Sequence, residues 1–347
     1  MAHGIKLHLP VFLLLIFVFL KQYQVHGESK VPCYFIFGDS LVDSGNNNNL
    51  ETKAKVNYPP YGIDFPGGPT GRFTNGKTVA DIMGELLGFE DFIPSFLIAN
   101  GSEILKGVNY ASGSAGIRHE SGKQLGVNIE LDKQLENHQT IVSRIVDMLG
   151  NESAANLLKK CFYWSVIGSN DYLNNYFMPQ YYNTSSQYTP DKFAESLVKQ
   201  YSPQIMTLYN SGARKMALSG IGPLGCIPHS TSNYDTKGSL CVDSMNDAVN
   251  YFNSRLRSLV DQLNNDLADA TFVYLNPVDF GSGYKASPGF SLKLSGCCKA
   301  NEYGQCIPNE SPCYFRSFNL FWDSFHPTEI SNKLSARLSY QTLKKIL

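Results

Sequence analysis

Charge is scarce in this chain. Only 17% of its 347 residues are Asp, Glu, Lys or Arg, and 29 basic groups face 30 acidic ones. Nothing in that balance draws the protein to nucleic acid or to an anionic membrane. Long apolar runs are equally scarce. The longest, Val11 to Leu20, has ten residues, about half of the ~20 that a membrane-spanning helix requires. There is no paired C-x-x-C knuckle of the kind that grips zinc. No G-x-S-x-G elbow presents a serine in the manner of an α/β-hydrolase. Internal repeats, low-complexity tracts and linkers are also missing, which argues for one domain rather than several.

What is present begins with a leader. Residues 1–27 carry Lys6 before the apolar run and finish in Val25-His26-Gly27, a small-residue site suited to cleavage. The expected mature protein is therefore secreted, a single domain over residues 28–347. With 43% hydrophobic residues it can bury a sizeable core.

The eight cysteines agree with an oxidising compartment. Cys226 and Cys241 would close a short loop. Adjacent Cys297 and Cys298 each take one of Cys306 and Cys313, with zinc as the alternative for this cluster. Cys33 and Cys161 lie in apolar runs and read as buried thiols. Sequons at Asn100, Asn151, Asn183 and Asn309 suit a glycoprotein.

Strands and helices alternate along the chain. Tyr34 to Phe37, Gly107 to Ala111, Cys161 to Ile167, Lys215 to Ser219 and Thr271 to Leu275 have strand composition. Between and after them, Thr78–Leu87, 130–150, 153–160, Phe193–Asn210, Asp243–Asn265 and the last 20 residues show helical periodicity. That alternation predicts a mostly parallel sheet covered on both faces. Four of the five strands end in Gly or small polar residues, which would gather at one sheet edge, where ligands bind in open α/β sheets. A Pro- and Gly-rich stretch, Asn57 to Lys77, excludes regular structure and is expected to shape a pocket beside that edge. A disulfide-rich loop is expected from Gly281 to Cys313.

The first strand runs into Gly38-Asp39-Ser40, so Ser40 is presented by rigid backbone as a nucleophile should be. Its base must be a histidine. His119 has Glu120 beside it, but adjacent side chains diverge. His138 falls on an amphipathic helix and is expected to face solvent, and His229 is read as structural. His326 stands in Trp322-Asp323-Ser324-Phe325-His326-Pro327, with an acid three residues before it. In a turn this spacing lays a carboxylate against an imidazole nitrogen, fixing its tautomer. Donors for a developing oxyanion are available at strand ends: the N–H of Ser40, the N–H of Gly116, with Gly113 as its rival, and the side-chain amide of Asn170.

Together, G-D-S-L at Gly38 to Leu41, N-Y-A-S-G-S-A-G at Asn109 to Gly116, G-S-N-D at Gly168 to Asp171 and D-S-F-H-P at Asp323 to Pro327 resemble, in order and separation, the four blocks of the GDSL/SGNH hydrolase superfamily. P-Y-G-I-D-F-P-G-G-P-T-G-R-F-T-N-G, G-I-G-P-L-G-C-I-P and the C-terminal F-W-D-S-F-H-P-T-E resemble its secreted plant GDSL esterase/lipase branch. The resemblance implies a three-layer α/β/α, flavodoxin-like SGNH hydrolase fold with a mainly parallel five-stranded sheet. It implies ester hydrolysis without metal or cofactor. Ser40 would be the nucleophile, His326 the general base and acid, and Asp323 its orienting partner. Ser40, Gly116 and Asn170 would form the oxyanion hole. Ser114 stands where many relatives have Gly or Ala.

Three functions stay open at this point: a secreted esterase or lipase, a secreted acyltransferase or polyester synthase using the same acyl-enzyme, and a catalytically silent binding glycoprotein. The substrate would be a small-molecule, lipid or acylated-polymer ester. Acyl length and oligomeric state are not legible.

Overall fold

The computed structural model describes residues 29–276 and 293–347. The expected leader, and the part of the expected disulfide-rich loop from 281 to 292, lie outside the described residues.

Four strands form one parallel sheet in the order β1 (Tyr34–Gly38), β2 (Phe162–Val166), β3 (Lys215–Ser219), β4 (Thr271–Leu275). Their register aligns Phe35 with Tyr163, Tyr163 with Met216 and Met216 with Phe272. Every residue of β1 and β2 is buried, which is why both read as continuous apolar runs rather than alternating ones. Alternation still sorts the side chains. Phe35, Phe37 and Tyr163 pack with helices α2 (Leu131–Leu149), α4 (Pro190–Asn210) and α5 (Asp243–Asp266). Tyr34, Ile36 and Trp164 pack with α1 (Val79–Leu87) and α6 (Glu329–Leu343) on the other side. Helix α3 (Asn151–Leu158) leads into β2. The result is three layers, α/β/α.

The expected strand at Gly107 to Ala111 is extended and lies parallel against β1. Ile36 donates to Val108 O at 3.1 Å, and the N–H groups of Tyr110 and Ser112 return to Ile36 O and Gly38 O at 2.8 and 3.1 Å. It meets β1 through an isolated bridge rather than a regular ladder. Counted in, it gives the flavodoxin-like order with the second strand outside the first. The regular sheet thus has four strands rather than five, and a separate parallel pair, β5 (Lys293–Gly296) and β6 (Asn319–Phe321), brackets the C-terminal cysteines in sequence.

Two sequence expectations are corrected. Cys33 and Cys161 are bonded to each other, not free. They directly precede Tyr34 and Phe162, which are partners in the parallel register, so the two sulfurs are brought face to face by β pairing across 128 residues. The other three bridges are Cys226–Cys241, Cys297–Cys313 and Cys298–Cys306. His138 is the second correction: it is buried, not solvent-facing. It continues the stripe of Leu131, Leu135, Ile141 and Ile145 on α2, packs edge-on to Phe35 and Phe37, and sits 3.0 Å from the Tyr110 hydroxyl through Nδ1. Burial pushes its pKa down to about 3 and keeps it neutral.

Candidate active site

The end of β1 is clamped from both sides. Gln134 of α2 accepts from Gly38 N at 2.9 Å and donates to Gly38 O at 2.8 Å. A Cβ at Gly38 would come within 2.4 Å of Val166 O, so only glycine lets β1 and β2 approach this closely. Asp39 N then donates to Val166 O, and the N–H groups of Val42 and Asp43 both turn back to Asp39 O. Ser40 sits at the start of that turn, partly exposed.

From the other end of the chain, Asp323 to His326 forms a tight turn closed by Trp322 N donating to His326 O at 2.7 Å. The Asp323 carboxylate, fully buried, accepts from the backbone of Phe325 and His326 at 2.8 Å each. It also lies 2.8–2.9 Å from His326 Nδ1. An ionised carboxylate only accepts, so Nδ1 carries the proton and Nε2 is left as acceptor. His326 Nε2 is 2.8 Å from Ser40 Oγ. The spacing read in the sequence thus brings Asp323, His326 and Ser40 into one hydrogen-bonded row.

The Pro- and Gly-rich stretch folds over this turn. Tyr61 donates to Asp323 Oδ2 at 2.6 Å and accepts from Cys306 N at 3.0 Å. Burial, and then the neighbouring Asp323, hold its phenol well above the ordinary value. Phe73 packs on the His326 ring with centroids 4.9 Å apart. Thr74 donates to Pro327 O, and Asn75 accepts from Glu329 N at the start of α6. Neither Tyr61 nor Phe73 was singled out from sequence, because an aperiodic loop gives no spacing to read.

The oxyanion candidates divide. Asn170 lines the cavity in front of Ser40; its Nδ2 donates once, to Ala115 O at 2.9 Å, leaving the second hydrogen of that amide uncommitted. Gly113 is not available, because its N–H goes to Asp43 Oδ2 at 2.9 Å. Gly116 is not among the cavity-lining residues. A Cβ there would stand 2.5 Å from Ser121 Cβ and 2.7 Å from Asp171 Oδ1; that carboxylate is held by the N–H groups of Ile117 and Arg118 and by Ser121 Oγ. Gly116 is thus required for close packing against Asp171. Ser114, in the left-handed region at φ 64°, does line the cavity. Among the described residues the N–H groups of Ser40, Ser114 and Gly116 have no hydrogen-bond partner, and of these three residues Ser40 and Ser114 line the cavity.

The cavity measures about 520 Å³, within the usual range of small-molecule sites. Its apolar lining includes Leu125, Leu173, Met178, Pro223, Leu224 and Ile227. His229 also lines it, stacked on Phe325 at 4.5 Å, so its place is at the site rather than only beside the Cys226 bridge. Asp39 lies on the wall next to Ser40; burial pushes its carboxyl up to about 7, and its Oδ2 has no partner.

The family model of GDSL-like lipases and acylhydrolases matches residues 34–338. The chain belongs to that family, a family of carboxylic ester hydrolases. Two GDSL esterase/lipases of Arabidopsis thaliana are similar throughout. One is 51% identical over 337 residues, covering 95% of this chain and 92% of its own length. Another is 50% identical over 325 residues, covering 92% and 89%. Among solved structures, phospholipase A1 of Streptomyces albidoflavus NA297 aligns with a TM-score of 0.38 at 15% identity, over 89% of this chain and 97% of that one.

Within this GDSL chain, residues distant in sequence share the site wall. Gln124 and Asn174 line the cavity with Asn170. Asn174 was visible in principle, since it repeats Asn170 at the four-residue spacing of a helical face. Asn100, Asn151, Asn183 and Asn309 are all exposed. No helix among the described residues is long and apolar enough to cross a membrane.

Proposed function

We propose that this protein is a secreted serine esterase that cleaves carboxylic esters through an acyl-enzyme. The observation that carries the reading is the unbroken row from the buried Asp323 carboxylate through His326 to Ser40 Oγ, at 2.8–2.9 Å and 2.8 Å. Ser40 Oγ attacks the ester carbonyl while His326 Nε2 takes its proton, and Asp323 favours the imidazolium that forms. His326 returns the proton to the leaving alcohol. Water then enters and attacks the acyl carbon while His326 takes its proton; His326 returns that proton to Ser40 Oγ as the acyl bond breaks and the acid is released. The tetrahedral oxyanion is met by the N–H of Ser40, the Nδ2 of Asn170 and the N–H of Ser114, which takes the role expected of Gly116 because it borders the cavity. The apolar lining of the cavity receives the acyl chain. The four disulfides fit an extracellular protein, with residues 1–27 removed, residues 28–347 as one domain and glycans on Asn100, Asn151, Asn183 and Asn309.

The test is hydrolysis of nitrophenyl esters of increasing acyl length by the secreted protein and by Ser40→Ala, with products analysed in the presence and absence of an alcohol acceptor. Hydrolysis that falls by about 10³-fold or more in the variant is expected. Rates unchanged in Ser40→Ala would discard this nucleophile; a new ester formed in preference to free acid would make the protein an acyltransferase.

A further inference from the structure

Asn170 does not stand alone. Its Oδ1 accepts from Asn174 Nδ2 at 2.6 Å. Asn174 Oδ1 accepts in turn from Gln124 Nε2 at 2.8 Å. Gln124 Oε1 accepts from the Tyr182 hydroxyl at 2.5 Å, and the same hydroxyl accepts from Gln124 N at 3.2 Å. Three carboxamides and a phenol therefore form a row in which every bond runs the same way. Each oxygen receives from the previous group and each nitrogen passes the polarity on, ending at the Asn170 amide in the cavity wall.

We infer that this row is a positioning device for the oxyanion donor, with Asn174 its principal member. The inference rests on the esterase reading above, in which Asn170 Nδ2 meets the oxyanion.

The geometry supplies the reason. A carboxamide can occupy its site in two orientations related by a half-turn, and only one of them presents hydrogens where the other presents oxygen. At Asn170 the wrong orientation would aim Oδ1 at the Ala115 carbonyl and turn Nδ2 toward the hydrogens of Asn174. Asn174 and Ala115 together select the orientation with nitrogen beside the cavity. Gln124 selects the orientation of Asn174 by the same logic, and Tyr182 selects that of Gln124. Aligned bonds of this kind also polarise one another, strengthening the last donor.

The backbone is shaped for this contact. Asn174 sits in the wide helical turn Tyr172–Tyr176, at φ −114° and ψ 28°, outside helical values. Its carbonyl is tied to Gly122 N at 3.0 Å, which joins the turn to the strand-end loop bearing Gln124. A turn of this width inside a helical stretch is a recurrent device at functional sites.

The experiment compares Asn174→Ala, the near-isosteric Asn174→Asp, Gln124→Met and Tyr182→Phe in the full-length protein, reading kcat, KM, Tm and the Ki of a trifluoromethyl ketone that forms a tetrahedral adduct with Ser40. Expected are a fall in kcat of ~10- to 100-fold for both Asn174 variants with KM within about twofold, a matching rise in Ki, and smaller losses at Gln124 and then Tyr182. In an Asn170→Ala background, Asn174→Ala should produce no further loss, because it acts only through Asn170. Independent, multiplicative losses would overturn the inference, as would kcat within about twofold of wild type in both Asn174 variants. If Asn174→Ala does not fold, Gln124→Met decides, since it keeps the side-chain length and removes the donor to Asn174 together with the acceptor of the Tyr182 hydroxyl. Full activity in Asn170→Ala itself would instead reject the oxyanion role of Asn170, a result separate from the relay.

Discussion

The hydroxyl of Tyr61 is 2.6 Å from Asp323 Oδ2 and 3.0 Å from the backbone nitrogen of Cys306. One phenol thus ties the Pro- and Gly-rich loop, the cystine cluster and the carboxylate behind His326 into a single buried junction. Tyr61→Phe removes a donor from a buried charge and strands a buried N–H. Such losses amount to about 1–3 kcal/mol each. The variant is expected to unfold at a Tm several degrees lower and to hydrolyse esters roughly 3- to 30-fold more slowly, through kcat. A Tm and kcat equal to those of wild type would show that the junction is held by packing alone.

The bond between Cys33 and Cys161 links the starts of β1 and β2 over 128 residues, against 15 for Cys226–Cys241. In the chain-entropy account, closing the longer loop restricts the unfolded state more, by about 4–5 kcal/mol against ~3. Cys33→Ala with Cys161→Ala is therefore expected to lower Tm by roughly 10 °C, and by more than Cys226→Ala with Cys241→Ala. Calorimetry of the two double variants decides the order.

Asp39 contributes a pH dependence of definite sign. Burial raises its carboxyl to about 7, while the Leu41 N–H and His326 pull the other way. The ordinary value in an unfolded chain is about 4. Between those two values the folded state holds the extra proton, so this group's contribution to stability declines as pH rises from about 4 to 7 and is level above. Asp39→Asn keeps the acceptor that meets Leu41 N and abolishes the titration. Urea unfolding at pH 5, 6, 7 and 8 should show wild type losing ground against the variant as pH rises. A difference that is flat across that range would place the carboxyl at its ordinary value.

Much of this architecture is legible in local pattern. The runs at Tyr34 and Phe162 are fully buried strands because the parallel sheet hides both faces there, the runs at Lys215 and Thr271 are strands buried in part, and α1 is capped at Thr78 by a reciprocal Thr78–Asp81 pair. The Asp-x-x-His spacing encodes its own turn, which is why Asp323 and His326 could be paired before any fold was known. The errors concern information that no short window holds. Cys33 and Cys161 meet only because two strands pair across 128 residues. An amphipathic helix offers His138 either face, and its place on the stripe of Leu131, Leu135, Ile141 and Ile145 puts it on the buried one. Tyr61 reaches the site through a loop without period.

The hydrogen bond from Ser40 to His326 spans 286 residues, nearly the whole described chain. During synthesis the hydroxyl is made early and waits, unpaired, while almost every other part of the molecule is assembled. Contacts of such separation are the slowest to form, since closing so long a loop must precede any reward from it. The bond between serine and imidazole therefore reports on long-range assembly: its presence in a population of molecules counts those in which the end of the first strand and the turn before the final helix have found each other.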